Sequence, residues 1–210
     1  MDPLWSPGAV TIWTILINGG ATCPIFPAQD DYSCDCKHQM CYDENGSCCG
    51  NYHSKILCDD RNCTIGLGCG NRFIRTHSFN IIQTRTALGL APSTFLAKGS
   101  FVLEFVGELI FESIKSERSR DYIIEVATTT IRNDKIFIDA GKCGNESRFI
   151  NHSCAPNCKW VEFLSCDGPR IGIFAIRDIS AGEEITVEYT REKLWFKCLC
   201  AKPNCRDRLV

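Results

Sequence analysis

The chain has 210 residues, 44% of them hydrophobic and 23% charged, with a formal net charge of -2 at pH 7. A chain of this length can bury a core without covalent staples. The balance of 23 Lys and Arg against 25 Asp and Glu excludes a broad nucleic-acid-binding face, which relies on clustered cations.

The first apolar run, Gly8 to Ile17, follows Asp2 and no basic residue, and no cleavage-like site succeeds it. It reads as a strand or docking segment and not as a secretory leader, and it is too short to span a bilayer. The run of residues that follows ends in the acidic pair Asp30-Asp31, and a different composition then begins.

Eight of the sixteen cysteines lie between Cys34 and Cys69, and none lies between Cys69 and Cys143. Cysteine used as a small apolar residue would be scattered. The spacings here are Cys34-x-Cys36, Cys36-x4-Cys41, Cys49-x8-Cys58, Cys58-x4-Cys63 and Cys63-x5-Cys69. Tetrahedral zinc uses closely spaced thiolates of this kind, because a short loop must bend several sulfurs onto one ion. The block is rich in Gly, Asn and Asp, so metal must supply much of its folding energy. A disulfide framework is the competing reading. It suits small secreted domains that lack a core, and a Cys-x-Cys pair is badly placed to bridge within itself, so a reducing compartment is expected.

From Phe73 the pattern changes to short strands. Phe79–Gln83, Ser100–Val106, Tyr122–Val126, Ile136–Asp139, Lys159–Phe163 and Ile171–Ala175 are apolar or β-branched runs parted by Gly and Asn turns,. Only Phe111 to Arg120 predicts a short helix. A mostly β body of several small sheets follows.

Two polar segments interrupt the strands. Gly144 to Cys158 packs Arg148, Asn151, His152 and Cys154 between apolar runs, and Ile179 to Tyr189 is a Gly turn feeding a strand that ends Glu-Tyr. Taken singly, His152 is more often a satisfied core histidine and Tyr189 a core aromatic. The C-terminus supplies the link. Cys198-x-Cys200-x4-Cys205 offers three thiolates, one short of a closed zinc site, and Cys154 is the leading candidate for the fourth. That closure would fold the C-terminal clasp over the Asn-His loop and the Glu-Tyr strand. Cys143 and Cys166 fit no spacing and are expected to be buried.

Arg148-Phe-Ile-Asn-His-Ser-Cys-x-Pro-Asn-Cys158 and Gly182-Glu-Glu-Ile-Thr-Val-Glu-Tyr189 resemble the two signature motifs of SET-domain protein-lysine methyltransferases. Leu103-Glu-Phe-Val-Gly-Glu108 resembles that family's Glu-Tyr-x-Gly-Glu strand, and Phe196-Lys-Cys-Leu-Cys-x4-Cys205 its post-SET zinc segment. The cysteine block ending in Cys69-Gly-Asn-Arg-Phe is similar to the AWS module that precedes SET in chromatin methyltransferases. The resemblance implies a mostly β fold, the SET β-clip with a pseudoknot, short helices and zinc-held N- and C-terminal segments. It divides the chain into an N-terminal segment (1–33), an AWS-like zinc module (34–75), a SET domain (76–190) and a post-SET zinc segment (191–210).

The same resemblance implies S-adenosylmethionine as cofactor and a lysine ε-amine as acceptor. Tyr189 matches the catalytic tyrosine, and Tyr122 falls where the family has a pocket aromatic that serves both catalysis and cofactor binding. Leu88, Gly89, Leu90, Arg148, Phe149, Asn151 and His152 match the cofactor side, and Trp195 or Phe196 would cover the adenine. The metal set is Cys34, Cys36, Cys41, Cys49, Cys58, Cys63 and Cys69, with Cys154, Cys198, Cys200 and Cys205, for about three zinc ions. Cys41 and Cys48 compete for one place, and the adjacency of Cys48 to Cys49 favours Cys41.

There are departures. The family's Gly-x-Gly cofactor motif reads Ala87-Leu88-Gly89 here, and Phe105 replaces a tyrosine. The expected substrate is histone H3 on the nucleosome, at lysine 36. Lysine 9, a non-histone lysine, or a non-catalytic peptide-binding SET module are the alternatives. A nuclear, chromosome-associated monomer is expected, targeted by other proteins, with no membrane association and no strong nucleic-acid binding of its own.

Overall fold

The computed structural model describes residues 10–11, 16–17, 33–34, 36, 49–190 and 193–207. The described strands are β1 (Val10–Thr11), β2 (Leu16–Ile17), β3 (Phe79–Thr84), β4 (Ala87–Pro92), β5 (Phe101–Phe105), β6 (Glu108–Phe111) and β7 (Ile123–Glu125). They continue with β8 (Ile136–Asp139), β9 (Cys143–Gly144), β10 (Asn151–His152), β11 (Cys158–Ser165), β12 (Gly168–Ala175) and β13 (Thr186–Val187). Among the described residues only two α-helices occur, α1 (Gly50–His53) and α2 (Glu112–Lys115). The mostly β class expected from the short, turn-parted apolar runs is what the chain adopts.

Two compact units form. The first comprises Met1–Ile74, Glu104–Asn145 and Glu162–Ile171; the second comprises Arg75–Leu103, Glu146–Val161 and Gly172–Val210.

In the first unit β2, β6, β8 and β7 make a four-stranded sheet in that order. All four residues of β8 are buried, which is why its sequence is a continuous Ile-Phe-Ile run with no polar alternation. Gly107 is required by close approach: a Cβ there would lie 2.3 Å from the Asp139 carbonyl oxygen. The apolar run near the N-terminus supplies two short parallel additions, β1 beside β9 and β2 beside β6. The cysteine-rich segment is sewn to β11 by Leu57 N–H to the Leu164 carbonyl and Leu164 N–H to the Lys55 carbonyl, each 2.8 Å. Phe163 then seats Phe73 and Tyr52 against it, with ring centroids 5.4 and 6.0 Å away.

The expected helix is shorter than its sequence suggested. α2 stops at Lys115, and residues 116–119 form a turn before the 3-10 turn Arg120–Tyr122. The segment has another anchor, for Arg118 reaches Glu108 at 3.2 Å and Asp139 at 3.6 Å, while Lys115 Nζ sits 4.1 Å from the Phe137 ring centre. Tertiary contacts thereby override a marginal helix propensity.

In the second unit β3 and β4 pair as an antiparallel hairpin from Phe79↔Pro92 to Thr84↔Ala87. Leu90 bridges to Ile185 and Leu96 to Ile179, all four being fully buried. β10 lies parallel to β13, with Asn151 opposite Thr186 and His152 opposite Val187.

At the hairpin's return Ala87 has φ +106°. A side chain with a Cβ holds that backbone region only under strain, of order 1–3 kcal/mol. Ala87→Gly should therefore raise unfolding stability by about 1 kcal/mol, the relieved strain exceeding glycine's entropy cost. Denaturant melts of the two forms measure it, and an unchanged or lower midpoint would show that the backbone relaxes around alanine.

Candidate functional site

The clustered thiols meet in both units. In the first, Cys34, Cys49 and Cys58 form one group and Cys58, Cys63 and Cys69 another; the sulfurs of each group lie within 4.8 Å of one another, and all are buried. Cys58 belongs to both. Cys34 Sγ is 3.6 Å from Cys49 Sγ, and Cys49 Sγ is 3.9 Å from Cys58 Sγ. Cys36 packs against the same cluster. Cys41 and its rival Cys48 lie outside the described residues. No two of the described cysteines are joined in a disulfide.

Two buried asparagines attend this cluster, and inspection of the sequence did not single them out. Asn71 Nδ2 donates to Cys58 Sγ at 3.2 Å and to the Ile56 carbonyl at 2.8 Å, and Asn51 Nδ2 donates to Cys58 Sγ at 3.5 Å. The Asn71 backbone N–H adds 3.4 Å to Cys69 Sγ. Burial pushes the Cys58 thiol up while these amides pull it down, and burial wins. Thiols packed this closely, with N–H donors aimed at them, fit zinc, whose charge turns them into thiolates and whose outer contacts fix their orientation. The signal available in advance was the Gly70-Asn71 pair immediately after a ligand cysteine.

In the second unit Cys154, Cys198, Cys200 and Cys205 hold their sulfurs within 4.8 Å of one another. Burial opposes ionisation at Cys200. Backbone donation from Cys154 and Lys202 and the thiols of Cys198 and Cys205 outweigh it, bringing that thiol down to about 6. The Arg206 N–H lies 3.4 Å from Cys154 Sγ. This set also fits zinc. Cys143 is buried as expected, but Cys166 is exposed: it lies in the turn between β11 and β12, where a side chain has no core to enter.

Beside the C-terminal thiols opens a cavity of about 570 Å³, a size suited to a small cofactor. Thr84, Asn151, His152, Glu184, Leu199 and Lys202 are among its lining residues. Asn151 Nδ2 is fixed by the Leu88 carbonyl and by Glu184 Oε1, both at 2.8 Å. Gly89 leaves room for this arrangement: a Cβ there would lie 2.5 Å from Thr84 Cγ2 and 2.9 Å from Glu184 Oε1. Of the cofactor candidates, Asn151 and His152 line the cavity; Leu88, Gly89, Leu90, Arg148, Phe149, Tyr189, Trp195 and Phe196 do not. Leu90, Arg148 and Phe149 are buried, and Trp195 is 43% exposed. Leu199, held between Cys198 and Cys200 of the thiol group, was not anticipated. Tyr122 lies in the first unit, half-buried, with its carbonyl accepting from the Ala140 N–H at 3.0 Å.

Tyr189 stands behind the cavity wall. Its hydroxyl donates to the Ile150 carbonyl at 2.6 Å, and its backbone N–H donates to His152 Nδ1 at 3.1 Å. Burial, and then the Arg206 charge, hold the His152 imidazole below its ordinary value, against Glu188. A neutral ring whose Nδ1 accepts carries its proton on Nε2, and Nε2 lies 3.3 Å from Cys154 Sγ. His152 thus ties the tyrosine to the thiol cluster. Phe196 closes the group, with centroids 5.3 Å from His152 and 5.9 Å from Tyr189.

Residues 87–190, which hold the Asn151-His152 strand, Cys154 and Tyr189, match the SET domain family. The chain carries a SET domain. Among curated relatives, it is 34% identical over 202 residues to the variant-silencing SET domain-containing protein of Plasmodium falciparum, covering 85% of this chain and 8% of that protein. It is 36% identical over 188 residues to the mouse histone-lysine N-methyltransferase, H3 lysine-36 specific, covering 82% of this chain and 7% of the relative. The Su(var)3-9 histone-lysine N-methyltransferase of Drosophila melanogaster is 32% identical over 180 residues, 72% of this chain and 28% of its own length. The chain spans less than a third of the length of each of these proteins. The likeness to the Plasmodium and mouse proteins extends beyond residues 87–190, since it covers more than four-fifths of this chain.

Proposed function

We propose that this SET-domain chain is an S-adenosylmethionine-dependent protein-lysine N-methyltransferase that acts on histone H3 at lysine 36 in nucleosomes. The observation that carries the reading is Tyr189, hydrogen-bonded to Ile150 and braced by His152 at the wall of a cofactor-sized cavity. The choice of lysine 36 is supported by the relatives named for that specificity, the mouse and several fungal proteins among them.

The cavity residues Asn151, His152, Glu184 and Leu199 would hold the cofactor, with polar groups on one side and an apolar cover on the other. When bound, S-adenosylmethionine supplies an electrophilic methyl group on a sulfonium. The chain's own task is alignment. A lysine ammonium, with a reference pKa of about 10.4, must lose its proton first, and an apolar channel favours the neutral amine. The Tyr189 hydroxyl has committed its proton to Ile150, so its remaining lone pair can accept from the amine and aim the nitrogen's own. The Ile150 carbonyl keeps a second lone pair for weak C–H···O contact. Leu88, Gly89, Leu90, Arg148, Phe149, Trp195 and Phe196 complete the site in this reading, the buried ones acting through backbone or support. The thiols would hold about three zinc ions, Cys41 completing the N-terminal set. The enzyme would work as a monomer on chromosomes in the nucleus, brought there by other proteins.

The test uses nucleosomes carrying H3 with arginine replacing lysine at position 36 or at position 9, read by mass spectrometry. Methylation should vanish only with the position-36 change, and nucleosomes should outperform free H3 peptide. Loss only with the position-9 change would overturn the site assignment and leave the methyltransferase reading standing.

A further inference from the structure

The carboxamide of Asn151, on β10, is held by acceptors only. Nδ2 donates to the Leu88 carbonyl and to Glu184 Oε1, both at 2.8 Å, and approaches Thr84 Oγ1 at 3.4 Å. An amide nitrogen carries two protons, and the two short bonds use both. The neighbours also decide which way the group faces, because turning it over would set Oδ1 against a carbonyl and a carboxylate. Oδ1 itself has no partner among the described residues and is not sealed from solvent. It is the side-chain atom that Asn151 offers to the cavity it lines. Glu184 is in turn held in place. The peptide group between Glu184 and Ile185 is pinned on both sides: the Glu184 carbonyl accepts from Asn157 Nδ2 at 2.9 Å, and the Ile185 N–H donates to the Leu90 carbonyl at 2.7 Å. Asn157 is buried and also accepts from the Thr186 N–H at 2.8 Å. The fit is close, since a Cβ at Gly89 would meet Glu184 Oε1 at 2.9 Å and Asn151 Nδ2 at 3.2 Å.

We propose that Glu184 is a positioning residue for the cofactor: its carboxylate holds the Asn151 carboxamide with Oδ1 toward the cavity, so that Asn151 meets the cofactor as a fixed acceptor. The inference deepens the methyltransferase reading given above and rests on it. Without Glu184, one short bond of Nδ2 is lost and the amide can turn over, presenting a donor to the cavity in place of an acceptor. The cofactor then draws only on chains whose amide faces the right way, and its apparent affinity falls by that fraction. A group already fixed before binding also avoids an ordering cost. The same carboxylate has a rival role, direct attraction of a positive charge on the cofactor. The two roles differ in what they require. Positioning needs an acceptor oxygen at Oε1 and acts only while the Asn151 carboxamide is present. Attraction needs the negative charge and does not depend on Asn151.

The experiment titrates S-adenosylmethionine and S-adenosylhomocysteine into the zinc-loaded chain by calorimetry, so that its outcome does not depend on turnover. The intact chain is compared with Glu184→Ala, Glu184→Gln, Asn151→Ala and the double variant Asn151→Ala/Glu184→Ala, after zinc content and melting temperature establish that each folds. Glu184→Ala should raise Kd roughly tenfold, the low end for a charge-assisted hydrogen bond, since the Leu88 carbonyl still favours the native face. Glu184→Gln keeps an acceptor oxygen and should stay within about twofold of the intact chain. The double variant should bind no more weakly than Asn151→Ala alone, because residues that act through one another do not add. Should Glu184→Ala not fold, Glu184→Leu, closer in size and without an acceptor, takes its place with the same expected result. An unchanged Kd in Glu184→Ala overturns the proposal. A loss in Glu184→Gln as large as in Glu184→Ala assigns the carboxylate to direct attraction and overturns it too, as does a double variant that shows the full sum of both single losses. If the intact chain binds neither compound, the methyltransferase reading falls and takes this inference with it; binding by the intact chain that the Glu184 variants leave untouched sinks the inference alone.

Discussion

Replacing Tyr189 by phenylalanine should lower kcat roughly 10²-fold or more, the scale seen when a donor or acceptor aimed at the reacting centre is removed. The hydroxyl also donates to the Ile150 carbonyl at 2.6 Å, so the variant should lose about 1 kcal/mol of stability as that carbonyl gives up its partner. The ring contacts with His152 and Phe196 remain, and cofactor affinity should be nearly unchanged. Steady-state kinetics, a cofactor titration and a thermal melt together decide the matter. An interaction made mainly in the transition state lowers kcat and leaves binding alone. If instead activity falls only as far as the lost stability predicts, the tyrosine is a core aromatic.

A large effect on stability is expected away from the cavity, at Arg170. Its guanidinium holds both carboxylate oxygens of Glu104 and lies over the Phe73 ring at 5.8 Å. Glu104 is buried, and burial pushes its carboxyl up even though Arg170 pulls the other way. Arg170→Met should cost about 3–5 kcal/mol, because it strands a buried carboxylate. The loss should also depend on pH in a definite direction. Without the arginine, the folded carboxyl rises further above its unfolded value, so the folded state binds more protons than the unfolded one. Stability must then fall as pH rises through and above the ordinary carboxylate range, and the deficit should be smallest in mild acid. Adding Glu104→Gln should recover much of it. Denaturant midpoints of the single and double variants across pH measure this, and a pH-independent deficit that Glu104→Gln does not relieve would mean that the loss is one of packing alone.

How much of this was legible in the sequence differs by element. β8 and β12 announce themselves because several apolar or β-branched residues recur in one run. β13 falls within the expected strand that ends Glu-Tyr, but β10 does not announce itself: a two-residue parallel pair carries no period, and its register is imposed by Asn157, whose carboxamide donates to the Glu184 carbonyl and accepts from the Thr186 N–H. β4 is not legible as a strand, because Ala87-Leu88-Gly89 falls at the place of a cofactor motif and its small residues give no apolar run. The thiol groups were plain, since spacing alone carries a ligand signal. The asparagines that donate to Cys58 were not, as an amide-to-sulfur bond depends on three-dimensional placement. Around the cavity, the Asn-His pair is marked by motif, whereas Thr84 enters from a segment with no motif of its own, and Glu184 and Lys202 sit inside motifs whose other residues carry the recognisable pattern.

The contacts that assemble the second unit have a kinetic consequence. Tyr189 meets His152 across 37 residues of chain, its hydroxyl meets Ile150 across 39, and Cys198 meets Cys154 across 44. Each closes a long loop before any favourable interaction repays the lost chain entropy. The hairpin of β3 and β4, by contrast, needs only a short turn. A refolding chain will therefore regain its hairpins early and the Tyr189 and Cys154 contacts late, after secondary structure has finished forming.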